Sequence, residues 1–325
     1  MILRPFLSNQ PYIIALLLPV LAMFCILNGY FDFHHLFARV DMGLWGKTNL
    51  LGSSSVSFIS AFIVGLNAIQ INFLFNTHEF LDKNNYGPSL FYVVLMSFSH
   101  SFYQPDGILF AHVCWIQVIR LLFTIRPNED MKRNLFNAAF FVGLSATFHP
   151  ASAGMLLFFW MAVRALRPFN LREFLISIIA FLMPIASALV YWWYSGHRMD
   201  LSLLRNTGFI SQETFVYYTT SGLMVGLFLL SIIGIQIRVQ KSSIRFKKLT
   251  RSLMFILGGG VLMGVAQLIF YQQIEWFSSM FIVLSFFFTF AFIHKFWKGI
   301  ATFFFYLAFI LAVIKFFPYT HLLVA

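Results

Sequence analysis

Charge is what this chain has least of. Only 10% of its 325 residues are Asp, Glu, Lys or Arg, whereas a soluble protein needs about a quarter to cover its surface. That scarcity excludes most soluble folds and all disordered ones. Cysteine is scarce too. Cys25 and Cys114 both fall inside apolar runs, so neither a disulfide framework nor a CxxC metal or redox motif is present, and both read as small core residues. Walker A, GxGxxG, HExxH and GxSxG contexts are missing as well, which argues against ATP-driven pumping and the common hydrolase chemistries. Few ionisable residues sit mid-run, which argues against proton-coupled transport. Gly258, Gly259 and Gly260 lie within an apolar run and read as a point of close helix packing.

What is abundant is apolar and aromatic: 60% hydrophobic residues, 44 Phe and a mean hydropathy of +0.81. This composition predicts an all-α polytopic integral membrane protein. Apolar runs give about eleven transmembrane segments, near 12–28, 54–76, 88–102, 107–125, 134–148, 151–166, 173–194, 215–237, 252–271, 277–293 and 300–317. The first run is longer than a signal h-region and lacks a clear cleavage site, so it reads as a retained span. The Phe-rich stretch from 281 to 307 reads as lipid-facing surface. No soluble domain or linker interrupts the chain, so residues 1–325 are taken as one membrane domain.

The formal charge of +11 invites a nucleic-acid reading, but its distribution points elsewhere. With the N-terminus inside, sixteen Lys and Arg fall in cytoplasmic segments, six of them between Arg238 and Arg251. Four fall outside: Arg39, Lys47, Arg198 and Arg205. This is the positive-inside bias, and it predicts a cytoplasmic N-terminus, a periplasmic C-terminus and no nucleic-acid partner. The basic run from Arg238 reads as a topology determinant touching anionic lipid.

The outer face is therefore where polar residues remain to be explained. Seven of the nine His map there, among them His34, His35, His100, His112 and His149, together with six acids including Asp32, Asp41 and Asp106. In the first outer loop, Phe33, Leu36, Phe37, Val40 and Leu44 follow helical spacing, which predicts an interfacial amphipathic helix with Asp32, His35 and Arg39 along one flank. Asp32 is positioned to act as a general base or metal-linked carboxylate, His35 to orient it and Arg39 to hold an anion; helix capping and headgroup anchoring are the structural alternatives. Two short hairpins turning at Tyr103 to Gly107 and at His149-Pro150 are too short for a full bilayer, which predicts either a depression open to outer water or tilted helices in a thinned bilayer. His149 would lie at the bottom of that depression, and a His/Asp cluster there could bind Mg or Mn, with hydrogen bonding at the helix ends as the structural alternative. Arg198 and Arg205, basic residues on the face that disfavours them, suit a lipid phosphate or pyrophosphate.

This layout resembles an uncharacterised family of bacterial polytopic inner-membrane proteins. More distantly, residues 12–170 are similar to the GT-C-type integral-membrane glycosyltransferases, with 171–325 as additional spans. The resemblance rests on one span, an outer loop with acids (Asp32 to Trp45), a second span and two short hairpins carrying Pro105-Asp106 and His149-Pro150. It implies transfer of a sugar from a polyprenyl-phosphate donor at the periplasmic face. Asp32 or Asp41 would be the acidic residue of the first outer loop, activating the acceptor or assisting through a metal, and Arg198 and Arg205 would hold the donor phosphate; with these, the residue reading places His35, Arg39, Asp106 and His149 in the substrate site. The chain departs from the family pattern in lacking an adjacent acidic pair and a large outer domain. A non-enzymatic scaffold or partner subunit in envelope biogenesis or secretion is the competing expectation, and transport of a lipid or small solute is the third.

Overall fold

The computed structural model describes residues 3–31, 39–49, 54–126, 130–168, 170–195, 214–271, 275–293 and 297–316. Twelve α-helices follow one another in these residues: α1 Leu3–Phe6, α2 Leu17–Phe31, α3 Ser54–Thr77, α4 Gly87–Met96, α5 Gly107–Thr124, α6 Lys132–Phe148, α7 Met155–Leu166, α8 Leu171–Ser195, α9 Thr214–Gln240, α10 Ile244–Tyr271, α11 Phe281–Phe288 and α12 Lys298–Ile314. Short 3-10 turns extend several of them. Each of the eleven apolar runs is helical. Six helices are long and apolar enough to cross a membrane: Pro11–Phe31, Val56–Thr77, Gly107–Thr124, Leu171–Tyr194, Ser221–Gln240 and Ile244–Ala266. The protein is therefore a helical membrane protein, and its exposed Leu, Ile, Phe and Val side chains face lipid.

The segments near 281–292 correct the sequence reading. Every residue of α11 is buried, and so are Thr289, Phe290, Ala291 and Phe292. A helix that is apolar all round belongs inside a bundle. Lipid and protein core are equally apolar, so composition alone does not distinguish the two locations. Helix α4, also buried along its whole length, packs beside α11 and α3. Together α4 and α11 form the axis around which the longer helices stand.

Small residues let the helices close in. A Cβ added to Gly143 on α6 would lie 2.2 Å from the Phe181 carbonyl oxygen on α8, and one added to Gly234 on α9 would lie 2.0 Å from that of Phe290. The glycine cluster on α10 behaves as its sequence suggested. Gly259 meets the Phe158 side chain of α7 and Gly260 meets Met280, in keeping with small residues at membrane helix contacts.

The helix ends sort into two groups. At one end lie the turns α4/α5 and α6/α7 and the ends of α8 and α12. At the other lie the turns α3/α4, α5/α6, α7/α8 and α9/α10, and with them most of the described Lys and Arg. The run from Arg245 to Arg251 is not a loop, because α10 begins at Ile244 and carries these residues in its first two turns. Cations at a helix N-terminus oppose its own dipole. Here they serve neighbouring helices instead: Arg245 donates to the Phe123 carbonyl at the end of α5 (3.3 Å) and Lys248 to the Leu166 carbonyl at the end of α7 (3.3 Å). Each cation satisfies a terminal carbonyl that its own helix leaves open.

Candidate functional site

The opposite end carries the loop that joins α2 to α3. Residues 39–49 form no amphipathic α-helix there, contrary to the spacing; only Gly43–Trp45 makes a 3-10 turn. Arg39–Asp41 (β1) pairs antiparallel with Lys47–Asn49 (β2), with Val40 opposite Thr48 and Asp41 opposite Lys47. The joining turn needs two left-handed glycines, Gly43 at φ +64° and Gly46 at φ +82°, and these break any helix through Val40 to Leu44. The ribbon docks on the turn that ends α6. A Cβ on Gly43 would lie 2.3 Å from the Phe148 carbonyl oxygen, the Trp45 indole N–H donates to Thr147 Oγ1 at 3.1 Å, and the Trp45 ring packs near Phe148 and Tyr191. The Trp192 indole, near the end of α8, donates to the Leu44 carbonyl. The loop bearing Asp41, the turn bearing His149 and the end of α8 thus meet at one corner.

The two hairpin turns are covered. Ser97, Ser99, His100, Ser101, Phe102, Tyr103 and Gln104 are buried, and so is His149. The expected depression open to water is therefore filled at these turns, because their polar groups bond within the protein. Asp106 caps α5, its Oδ1 accepting the Leu109 N–H at 2.9 Å and its Oδ2 accepting Ser101 Oγ–H at 2.7 Å. Ser60 Oγ–H on α3 donates to the Ser101 carbonyl at 2.6 Å. Part of Asp106 stays accessible, yet the dense protein around its carboxyl pushes its pKa above the usual carboxylate value, opposed by the Ser101 and Leu109 hydrogen bonds and by His100.

Next to this cap, Tyr92 and His112 form a buried pair, with Tyr92 Oη and His112 Nδ1 at 3.0 Å. Asn67 Nδ2 donates to the same phenol oxygen at 3.4 Å. The phenol oxygen can donate one hydrogen bond and accept others, so it links Asn67 to His112, and the imidazole tautomer sets which of Oη and Nδ1 donates. His149 follows across the adjacent hairpin, where the stacked rings of Phe110 and Phe148 (5.3 Å) join α5 to α6. His149 Nδ1 lies 3.3 Å from Ser152 Oγ. Burial pushes its pKa down to about 3, with His112 adding to the effect. His149 is consequently a neutral imidazole, suited to hydrogen bonding rather than to holding a proton.

A last polar group comes from the end of α12. Lys315 is buried, its Nζ donates to the Ser97 carbonyl, and the rings of Phe98, Tyr103 and Phe316 surround the ammonium at 4.8 to 5.2 Å. Cation–π contact and one carbonyl stabilise its charge there.

Of the sequence-selected residues, Asp41 and Arg39 are placed by their backbone in β1, and Asp106 and His149 in adjacent hairpins. Asp32, His35, Arg198 and Arg205 lie outside the described residues. The grouping of Arg39 on a helical flank does not hold, since Arg39 is in a strand. Sequence reasoning passed over Tyr92, Asn67 and Lys315. A signal existed for Asn67: Ser60, Val64, Asn67 and Ile71 recur at helical spacing on the buried face of α3, and polar residues on such a stripe seek partners inside the bundle. Among the described residues no three His, Cys, Asp or Glu gather as metal ligands. Asp106 accepts from Ser101 and Leu109 and belongs to no such group, so the described side chains do not assemble the Mg or Mn site expected there.

Comparison with known proteins adds one relationship. No curated protein and no solved structure matches the chain. Residues 36–198 match DUF6427, a family of unknown function. That stretch takes in the ribbon, both hairpins and α3 to α8. With half of its length matched, the chain belongs to the DUF6427 family.

Proposed function

We propose that this protein crosses the bacterial inner membrane eleven times, with the basic end in the cytoplasm, and that its periplasmic corner transfers a sugar from a polyprenyl-phosphate carrier. The observation that carries this reading is the meeting of three elements: the loop of Asp41, the turn of His149 and the end of α8, which leads toward Arg198 and Arg205. The basic end supports the orientation, because the cations gather where the positive-inside rule puts the cytoplasm. In the proposed reaction Asp32 or Asp41 takes the proton of the acceptor hydroxyl, whose oxygen bonds to the anomeric carbon. The bond from that carbon to the phosphate oxygen breaks, and polyprenyl phosphate leaves against Arg198 and Arg205. No step runs through a metal ion.

The test is release of polyprenyl phosphate from a lipid-linked sugar by the full chain in nanodiscs. Asp32→Asn or Asp41→Asn should cut release by about a hundredfold or more while the donor still binds. Arg198→Gln and Arg205→Gln should weaken donor binding instead. If both Asp variants turn over like the parent, the enzyme reading is abandoned. The second reading, a scaffold in envelope biogenesis, is favoured by one observation: Asp106 and His149 are engaged in internal bonds and packing. It predicts that no donor binds and that a partner protein co-purifies with the intact corner but not with a Gly43 variant.

A further inference from the structure

At the basic end a cleft of about 40 Å³ opens between the end of α7 and the first turns of α8. Its floor is apolar, built from Leu135 of α6 and from Phe159 and Val163 of α7. Trp160 also lines it, its ring centroid 4.3 Å from that of Phe174 and its N–H donating to Ser177 Oγ at 2.9 Å. One wall is an ion pair, Arg167 to Glu173 at 3.0 Å, with both side chains largely buried. These two charges offset each other. The cleft's outward charge comes from the exposed Arg164 on its lining and from Arg172 beside it, with Lys248 held at the neighbouring Leu166 carbonyl. Leu157 and Met161 on α7, and Leu171 and Leu175 on α8, are exposed in the same turns and face lipid.

We propose that this cleft binds an anionic phospholipid of the leaflet at the basic end. The phosphate sits on Arg164 and Arg172, and the glycerol ester and first methylenes enter the apolar floor. Two features together select this occupant. A free anion would be satisfied by the rim alone and would leave the partly exposed Val163 and Trp160 against water, whereas a phospholipid covers both. A volume of this size takes about three waters, so it seats the lipid's neck while the acyl chains run along Leu171 and Leu175. Excess positive charge at the rim then favours a phosphatidylglycerol headgroup over phosphatidylcholine.

Native mass spectrometry of the full chain, released from nanodiscs of mixed phosphatidylglycerol and phosphatidylcholine, reads the preference directly. Phosphatidylglycerol should be retained about tenfold over phosphatidylcholine, and Arg164→Gln with Arg172→Gln should remove that preference. Lys241→Gln, on the same end but away from the cleft, should leave it unchanged, and inorganic phosphate should not compete. A second readout locates the lipid: phosphatidylglycerol brominated high on its chain should quench the part of the fluorescence that Trp160→Phe removes. Equal retention of both lipids, a preference that survives the double Arg variant, a preference equally lost in Lys241→Gln, or no quenching of Trp160 would each overturn the proposal.

Discussion

The two ends of the bundle solve the same problem in opposite ways. At the basic end the interior is rings: Phe80 stacks on Phe75 at 5.2 Å and touches Phe123, Phe246, Phe286 and Phe290. Apart from the buried Arg167–Glu173 pair, charges there stay at the rim, as in Arg238 to Asp82, or cap a carbonyl. At the ribbon end polar side chains go inside, where Asp106, Ser101, Tyr92, His112, His149 and Lys315 bond to one another's elements. Apolar packing alone is enough to hold a helix end together. Buried polar networks carry a desolvation cost that only full satisfaction offsets, and they fix one geometry. The ribbon end is therefore where geometry matters, and the functional proposal rests there.

The largest test of this contrast is Phe80→Ala. It removes the ring at the centre of the aromatic cluster and should cost about 3–5 kcal/mol, read as a fall in thermal unfolding temperature in detergent. It should leave the ribbon end's chemistry untouched once the protein is folded. If Phe80→Ala is as mild as a surface change, the basic end is not held by its rings.

A pH series on His149→Gln probes the other end. The folded pKa of His149, about 3, lies below its unfolded value near 6.5. Below pH 6.5 the unfolded chain gains a proton that the folded chain refuses, so stability falls as pH drops from about 6.5 toward 3 and is unaffected above that window. The slope is about 1.4 kcal/mol per pH unit. His149→Gln should flatten that part of the decline relative to the parent. Equal slopes in parent and variant would mean that His149 is solvated in the folded protein.

Gly43→Ala should cost about 1–3 kcal/mol, through a left-handed φ and a clash with the Phe148 carbonyl. Its control is Gly29→Ala on α2, where an added Cβ meets nothing within 4 Å and a helical Ala is mildly favoured. The pair separates docking of the ribbon from a general intolerance of substitution at this end. Comparable unfolding temperatures for the two variants would sink the docking argument.

How much of this was legible beforehand follows from what each residue type reveals. The apolar runs marked every long helix, because length and hydropathy are direct signatures of a span. They did not reveal that Phe281 to Phe292 is core, since lipid and core select the same residues. The ribbon was misread because Val40 and Leu44 fit a helical stripe, while Gly43 and Gly46, which decide the turn, carry no hydrophobic signal. Asp106 and His149 were singled out as lining a depression, with helix-end hydrogen bonding as the structural alternative, and the structure gives them internal bonds: Ser101, Leu109 and Ser152 are partners that no single-sequence pattern displays. Tyr92 was hidden for a related reason, being counted as one more aromatic residue in a short apolar run.

The smallest expected effect belongs to the Arg238–Asp82 pair. Its N–O distance is 2.7 Å, but the Asp82 side chain is 83% exposed, so water screens the attraction and competes for both partners. Exposed pairs contribute about 0–1 kcal/mol. Arg238 also lies 5.9 Å from the Phe246 ring, a contact that survives loss of the carboxylate. Asp82→Asn should therefore leave the unfolding temperature almost unchanged, with any difference vanishing in high salt. A large, salt-resistant loss in Asp82→Asn would show that the basic end, like the ribbon end, depends on a buried charge network, and the contrast between the two would fail.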